Sequence, residues 1–427
     1  MKKTYYPRLD ETVCRKVLPN GLNILVVPKP GFTRKIAYFV TNYGSVHTSF
    51  TLDGKAYTTP AGVAHYLEHK MFDMPDRDVT AEFAALGASS NAFTSYGLTA
   101  YYFSCTENFA PALRLLLEFV STPYFTEESV EKERGIIAQE ILMYADSADS
   151  VVMEEMNRGL YHHHPIRVSI AGTVESIQEI TAQTLYDCHK AFYTPSNMVL
   201  CVVGNVDPDK VAEIASEVLP GEGGEAIPRD YAQEDSHEPV CREVRQNMEV
   251  SMPQFLAGYK CDPPAEGAEQ FRLGMIGDMA CDILFGDSSP LYSSLYEQGL
   301  INDSFGGNFD ILPGAAYLYV GGDTNEPHKV HAAVTAEAER LAREGIDEAF
   351  YQRIRRAAYG QMIRSLNSFE TIAVAAAEGI FYGYDYYTFP EVFATITKAD
   401  IEDFLRRNIT AERTAISLIY PAEEQVS

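Results

Sequence analysis

An α+β fold built as two similar domains is what the sequence predicts, on three observations. The chain has 427 residues, more than one ordinary core accommodates, and divides naturally into two domains of about 200 residues. Between Leu219 and Val240 the run PGEGGEAIPRDYAQEDSHEPV is rich in Gly, Pro and acid and nearly empty of aliphatic residues, the composition of a linker. The elements expected after it weakly repeat the order of those before it. The expected division is therefore 1–218, a linker at 219–240, and 241–427.

Taken in order, Cys14 to Pro28 reads as two alternating runs about Asn20-Gly21, the strongest short hairpin signal. Ile36–Tyr43 follows as a third strand. Thr59 as N-cap and Pro60 at the first position open a helix that should run to about Phe72, with Val63, Ala64, Leu67 and Phe72 as its apolar residues. Gly87–Thr94 leads into an aromatic strand at Tyr101–Phe103. Helices are expected at about 107–121, 126–145 and 182–193, and a strand at Met198–Val203 closes this part. The result is a sheet with helices laid on it. The second part should hold strands near 242–250 and 254–260, a helix near 265–285, strands near 304–320, long helices and a last strand at Thr414–Ile419.

The chemistry begins at His65-Tyr66-Leu67-Glu68-His69. At 3.6 residues per turn the two imidazoles share a helix face with Glu68 beside them, so two neutral nitrogens can hold one metal while the carboxylate faces its open position. The order His-x-x-Glu-His inverts the zincin motif. Zinc in a catalytic site needs a third protein ligand. The run TEESVEKERGIIAQEILM, residues 126–143, reads as a helix with Thr126 as N-cap, Glu127 and Glu128 in the first turn, and apolar Val130, Ile136, Ile137 and Ile141. Glu133 and Glu140 stand seven apart on one face of it.

These motifs resemble the insulinase and pitrilysin family of zinc metallopeptidases, whose inverted motif is followed by a helix carrying two glutamates seven apart. The resemblance implies that His65, His69 and Glu140 hold one Zn2+, that Glu68 is the general base and that Glu133 supports the site from behind. It covers Gly87–Thr94 as well: in the family a similar run forms a sheet edge on which substrate lies as an added strand, which would place Asn91, Ala92 and Phe93 against a peptide. The family fold is the mitochondrial-processing-peptidase-like metallohydrolase, two α/β rolls forming half of a clam-shell chamber. The second roll lacks the metal, in keeping with the histidine-free helix FRLGMIGDMACDILFG here.

The second part also departs from the family. Members that work alone or as homodimers supply an Arg and, seven residues on, a Tyr to the substrate carbonyl. Here Tyr296 and Asn302 stand at or near those positions, and no Arg occurs between Arg272 and Arg340. This resembles bacterial pairs in which one subunit carries zinc and its paralogue the Arg and Tyr. The expectation is a zinc endopeptidase subunit for short or unfolded peptides, completed by a paralogous partner rather than by a homodimer. Removal of a leader from a modified peptide, and a non-catalytic assembly role, are the alternatives.

A net charge of −26 argues against nucleic acid and anionic membrane as partners. MKKTYYPRLDETV has no apolar core of a secretory signal, and no run reaches the roughly 18 apolar residues of a membrane span. Seven scattered cysteines without a Cys-x-x-Cys pair suit reduced thiols in the cytoplasm. His162-His163-His164 is not expected to bind metal, because consecutive side chains diverge and Pro165 follows.

Overall fold

The computed structural model describes residues 1–75, 77–222, 224, 227–230 and 236–422. In chain order the elements of the first part are β1 Lys2–Tyr6, β2 Glu11–Val17, β3 Asn23–Pro28, β4 Lys35–Thr41, β5 Ser49–Leu52, β6 Lys55–Thr58, α1 Val63–Met71, β7 Asp73–Met74, β8 Arg77–Asp78, α2 Val79–Ala85, β9 Ala88–Thr94, β10 Thr99–Cys105, α3 Phe109–Ser121, α4 Glu127–Ala145, α5 Ala148–Leu160, α6 Ala182–Phe192, β11 Met198–Gly204, α7 Pro208–Val218 and β12 Arg229–Asp230. Those that follow are β13 Glu243–Met248, β14 Gln254–Cys261, α8 Ala268–Leu284, α9 Pro290–Glu297, β15 Gly306–Leu312, β16 Ala315–Asp323, α10 Pro327–Glu344, α11 Glu348–Ser365, α12 Phe369–Tyr382, α13 Phe389–Ala394, α14 Lys398–Asn408 and β17 Thr414–Pro421.

Two compact units result. The first comprises residues 1–141, 169–231 and 362–389, the second 142–168, 232–361 and 390–427. They do not follow the straight division expected at 219–240. The second unit takes α5 from the first half of the chain, and the first takes α12 from the second half. Of the expected linker, residues 223, 225–226 and 231–235 lie outside the described residues, while β12 pairs with β5 through Arg229 and Phe50.

The sheet of the first unit runs β1-β2-β3-β11-β4-β10-β9. Its β3 and β11 are parallel and every other pair antiparallel. The hairpin forms as expected, with Cys14 opposite Val26 and Val17 opposite Asn23, and Gly21 takes the positive φ of +86° that its turn requires. Alternate residues Leu200 and Val202 of β11 and Ala37 and Phe39 of β4 enter the core shared with α1, α3, α6 and α7. Their neighbours Val199, Cys201 and Val203 are also buried, facing the other way. That second face is where α12 packs, against β11 and β4.

The second unit repeats the plan. Its sheet runs β13-β17-β14-β16-β15, with β13 and β17 parallel and the rest antiparallel. β11 lies between β3 and β4 as β17 lies between β13 and β14, parallel to the first of each pair and antiparallel to the second, and a hairpin completes the far side. Here α5 takes the position that α12 holds in the first unit, packed on β17 and β14. The second sheet thus repeats the plan of the first, with its covering helix drawn from the other half of the chain.

Candidate metal centre

Helix α1 begins three residues later than its sequence signals suggest. The backbone amide of Thr59 donates to Thr48 O at 2.8 Å, which fastens it to the preceding loop and takes it out of the capping position. Gly62 caps α1 instead, at φ +93°. A Cβ there would stand 2.5 Å from Ala171 O, so only glycine lets the two loops meet. From this start Val63, Ala64, Leu67 and Met71 are buried against the sheet and α6. His65, Glu68 and His69 are left on the neighbouring face.

Helix α4 begins as predicted, with Thr126 Oγ1 accepting from Ser129 N at 3.1 Å. Val130 and Ile137 are its buried residues, whereas Ile136, one of the apolar residues of the pattern, is half exposed. Two side chains of α1 clamp it to the first turns of α4. Tyr66 donates its hydroxyl to Val130 O, and the buried Lys70 reaches Ser129 O at 3.3 Å as well as Asp73. With Val130 fixed, Glu133 and Glu140, one and three turns further on, come over the histidines.

The meeting is close. His65 Nε2 lies 3.5 Å from Glu140 Oε1, and His69 Nε2 lies 3.4 Å from Glu140 Oε2. These separations are long for hydrogen bonds but match the edge of a tetrahedron around zinc, about 3.4 Å for bonds of about 2.1 Å. Two imidazole nitrogens and a carboxylate oxygen are also the donor set of a catalytic zinc site with one position left open. Among the described residues this trio is the single group of His, Cys, Asp or Glu whose ligand atoms all fall within 4.8 Å of one another. It is compatible with a metal site.

Each histidine is held differently. The other ring nitrogen of His69, Nδ1, lies 3.0 Å from Glu133 Oε1. Burial disfavours the charged His69 ring, but the Glu133 hydrogen bond and the charges of Glu140 and Glu68 outweigh it and raise its pKa above 6.5. His65 is buried, and its Nδ1 has no hydrogen-bond partner among the described residues, so packing fixes that ring. Glu68 Oε2 accepts a hydrogen bond of 2.6 Å from Thr94 Oγ1, a contact the sequence reading did not foresee. Its only sequence signal was the Asn-Ala-Phe-Thr run itself.

Asn91, Ala92 and Phe93 lie on β9, which ends the sheet next to α1. Among the described residues β9 pairs only with β10. In the second unit the expected Arg and Tyr positions hold a different chemistry. Tyr296 is 57% exposed and stacks on Tyr292 at 6.0 Å between ring centroids. Asn302 Oδ1 accepts from Ser304 N at 2.8 Å and Ser304 Oγ at 2.6 Å, closing a local turn. His164 is buried, with Nε2 2.8 Å from Pro313 O and Nδ1 accepting from Ile166 N at 3.2 Å, so backbone groups occupy both ring nitrogens. The histidine triplet makes no metal cluster among the described residues.

Residues 54–174 match the family model Insulinase (Peptidase family M16), and residues 179–358 match the model described as Peptidase M16 inactive domain. The uncharacterized zinc protease YmfH of Bacillus subtilis strain 168 is 38% identical over 99% of both chains. The chain belongs to the M16 peptidase family. The zinc protease PqqE of Helicobacter pylori is 25% identical over 87% of this chain and 83% of its own. The fold agrees with a crystal structure of an M16-like peptidase from Alicyclobacillus acidocaldarius, at TM-score 0.93 and 34% identity over 97% of this chain and 99% of that one. The histidines, Glu68 and Glu140 all fall within the first M16 match, and α8, with no histidine, falls within the second. No helix among the described residues is long and apolar enough to cross a membrane.

Proposed function

We propose that this chain is the zinc-bearing subunit of an M16 endopeptidase that hydrolyses short or unfolded peptides and is completed by a paralogous subunit. The observation that carries the reading is the spacing of 3.4 and 3.5 Å between the histidine Nε2 atoms and Glu140. His65, His69 and Glu140 would hold the metal. Zinc, when bound, supplies Lewis acidity, making water a nucleophile near neutral pH and polarising a carbonyl.

The protein groups do the rest. Glu68 accepts the proton of the attacking water and returns it to the leaving amine. Glu133 holds the His69 ring through Nδ1, fixing its tautomer and leaving Nε2 for the metal. An extended peptide adds to the edge of β9 at Asn91, Ala92 and Phe93, held by backbone hydrogen bonds that are largely indifferent to its sequence. Donors to the oxyanion come from the partner, since Tyr296 and Asn302 occupy the positions at issue and Asn302 is spent on its own turn. Losing one such donor typically costs about 10²-fold to 10³-fold in rate.

The test is peptide cleavage by this chain, by a paralogue carrying the Arg and Tyr, and by their mixture, all with zinc. The mixture alone is expected to be active. Full activity from the isolated chain would overturn the two-chain reading, and an inactive zinc-loaded mixture would overturn the peptidase reading.

A further inference from the structure

We propose that Thr94 is a positioning residue for Glu68, anchoring one carboxylate oxygen so that the other stays aimed at the reacting water. The inference rests on the reading of Glu68 as general base. Glu68 lies on α1 and Thr94 on β9, so the contact joins two separate elements. Thr94 Oγ1 donates to Glu68 Oε2 at 2.6 Å, the short distance expected when the acceptor is ionised. Among the described residues Thr94 is the one hydrogen-bond donor to this carboxylate, which leaves Oε1 to take a proton.

A hydroxyl has a single proton, and that of Thr94 is committed to Glu68. Thr99 Oγ1 lies against its oxygen at 3.3 Å but gives its own proton to a carbonyl. Thr99 is fully buried and tied to Tyr43 O at 2.9 Å. Deeper in the same core the hydroxyls of Tyr193 and Tyr101 lie 2.8 Å apart. Both tyrosines are buried. Of these hydroxyls only that of Thr94 touches the base, and the pairing of β9 with β10 holds it in place.

Register explains why this strand supplies the group. Opposite faces of β9 take alternate residues, so Thr94 shares a face with Ala92 while Asn91 and Phe93 point the other way. Antiparallel pairing sets Thr94 directly against Thr99 of β10. One strand thus offers an edge to the peptide and a side chain to the base, which couples the placement of substrate to the placement of Glu68. A free glutamate side chain must lose rotamer freedom to act, and an anchored one has already lost it.

The experiment compares Thr94→Val and Thr94→Ala, which lack the hydroxyl, with Thr94→Ser, which keeps it. Crystal structures of the zinc-loaded full chain are the first readout. Glu68 should hold one rotamer in the wild type and the Ser variant and spread over several in the Val and Ala variants. In the zinc-loaded mixture with the paralogue, kcat should fall about tenfold to a hundredfold in the Val and Ala variants, with KM unchanged and zinc still bound, and the Ser variant should recover most of it. A single wild-type Glu68 rotamer in both Val and Ala variants would overturn the proposal, as would wild-type kcat in either. If the wild-type mixture cleaves nothing, the peptidase reading fails, and the rotamer comparison still decides whether Thr94 fixes Glu68. If one of the two hydroxyl-free variants fails to fold, the other carries the same comparison.

Discussion

His69 is held at two points along one face of α4: Glu133 Oε1 lies 3.0 Å from its Nδ1, and Glu140 Oε2 lies 3.4 Å from its Nε2. Glutamates seven residues apart on one helix thus address the two nitrogens of one ring, one as a hydrogen-bond acceptor and one at the distance of a fellow metal ligand. This separation of tasks leads to the first prediction.

Glu133→Ala should weaken zinc binding about tenfold to a hundredfold without abolishing it, because it frees the ring but removes no ligand. The effect should depend on pH with a definite sign. Zinc needs His69 neutral, and its pKa in the metal-free protein stands above 6.5. Acidification should therefore begin to weaken zinc binding at a higher pH than it would for an ordinary histidine. Without Glu133 the ring is harder to protonate, so the gap between variant and wild type should narrow as pH falls. Competition with a chelator across that range measures both effects.

Glu68→Gln and Glu140→Ala should separate catalysis from binding. Glu140→Ala removes one of three ligands and should empty the site in elemental analysis. Glu68→Gln should keep about one zinc per chain and lose on the order of 10²-fold to 10⁴-fold in turnover, the usual contribution of a general base. Loss of metal from Glu68→Gln would contradict the separation of roles.

Glu378, on α12 where that helix covers the sheet of the first unit, concerns stability rather than chemistry. Burial pushes its carboxyl up from 4.5 to about 7. Between those values the folded protein holds a proton that the unfolded chain gives up, so this group makes stability fall as pH rises through the window. Above it the penalty is constant, about 3 kcal/mol by the cost per pKa unit. Glu378→Gln should stabilise the protein above pH 7 by an amount of that order and change little below pH 4.5. Denaturant titrations at the two ends of the range give the comparison.

Much of the site was legible because its signals are local. The helical spacing of His65 and His69, and the seven-residue spacing of Glu133 and Glu140, fix shared faces by helix geometry alone. The hairpin about Asn20-Gly21 was equally local. Boundaries and exposure were less so. Thr59 carries a capping signal that a hydrogen bond to Thr48 overrides, and Ile136 is apolar yet half exposed, because what faces a residue is decided by the element packed against it.

By itself, then, the sequence determined the type and order of the main elements, the repeat of the first roll in the second, and the side chains able to hold a metal. Only the tertiary structure decided which element meets which. The exchange of α5 and α12 between the two halves of the chain, the clamp of Tyr66 and Lys70 on the start of α4, and the hydroxyl of Thr94 on Glu68 all join residues distant in sequence. Periodicity records which face of an element is apolar, not which partner covers it. That choice depends on sheet order and strand register, which are set by long-range packing and leave no period in the chain.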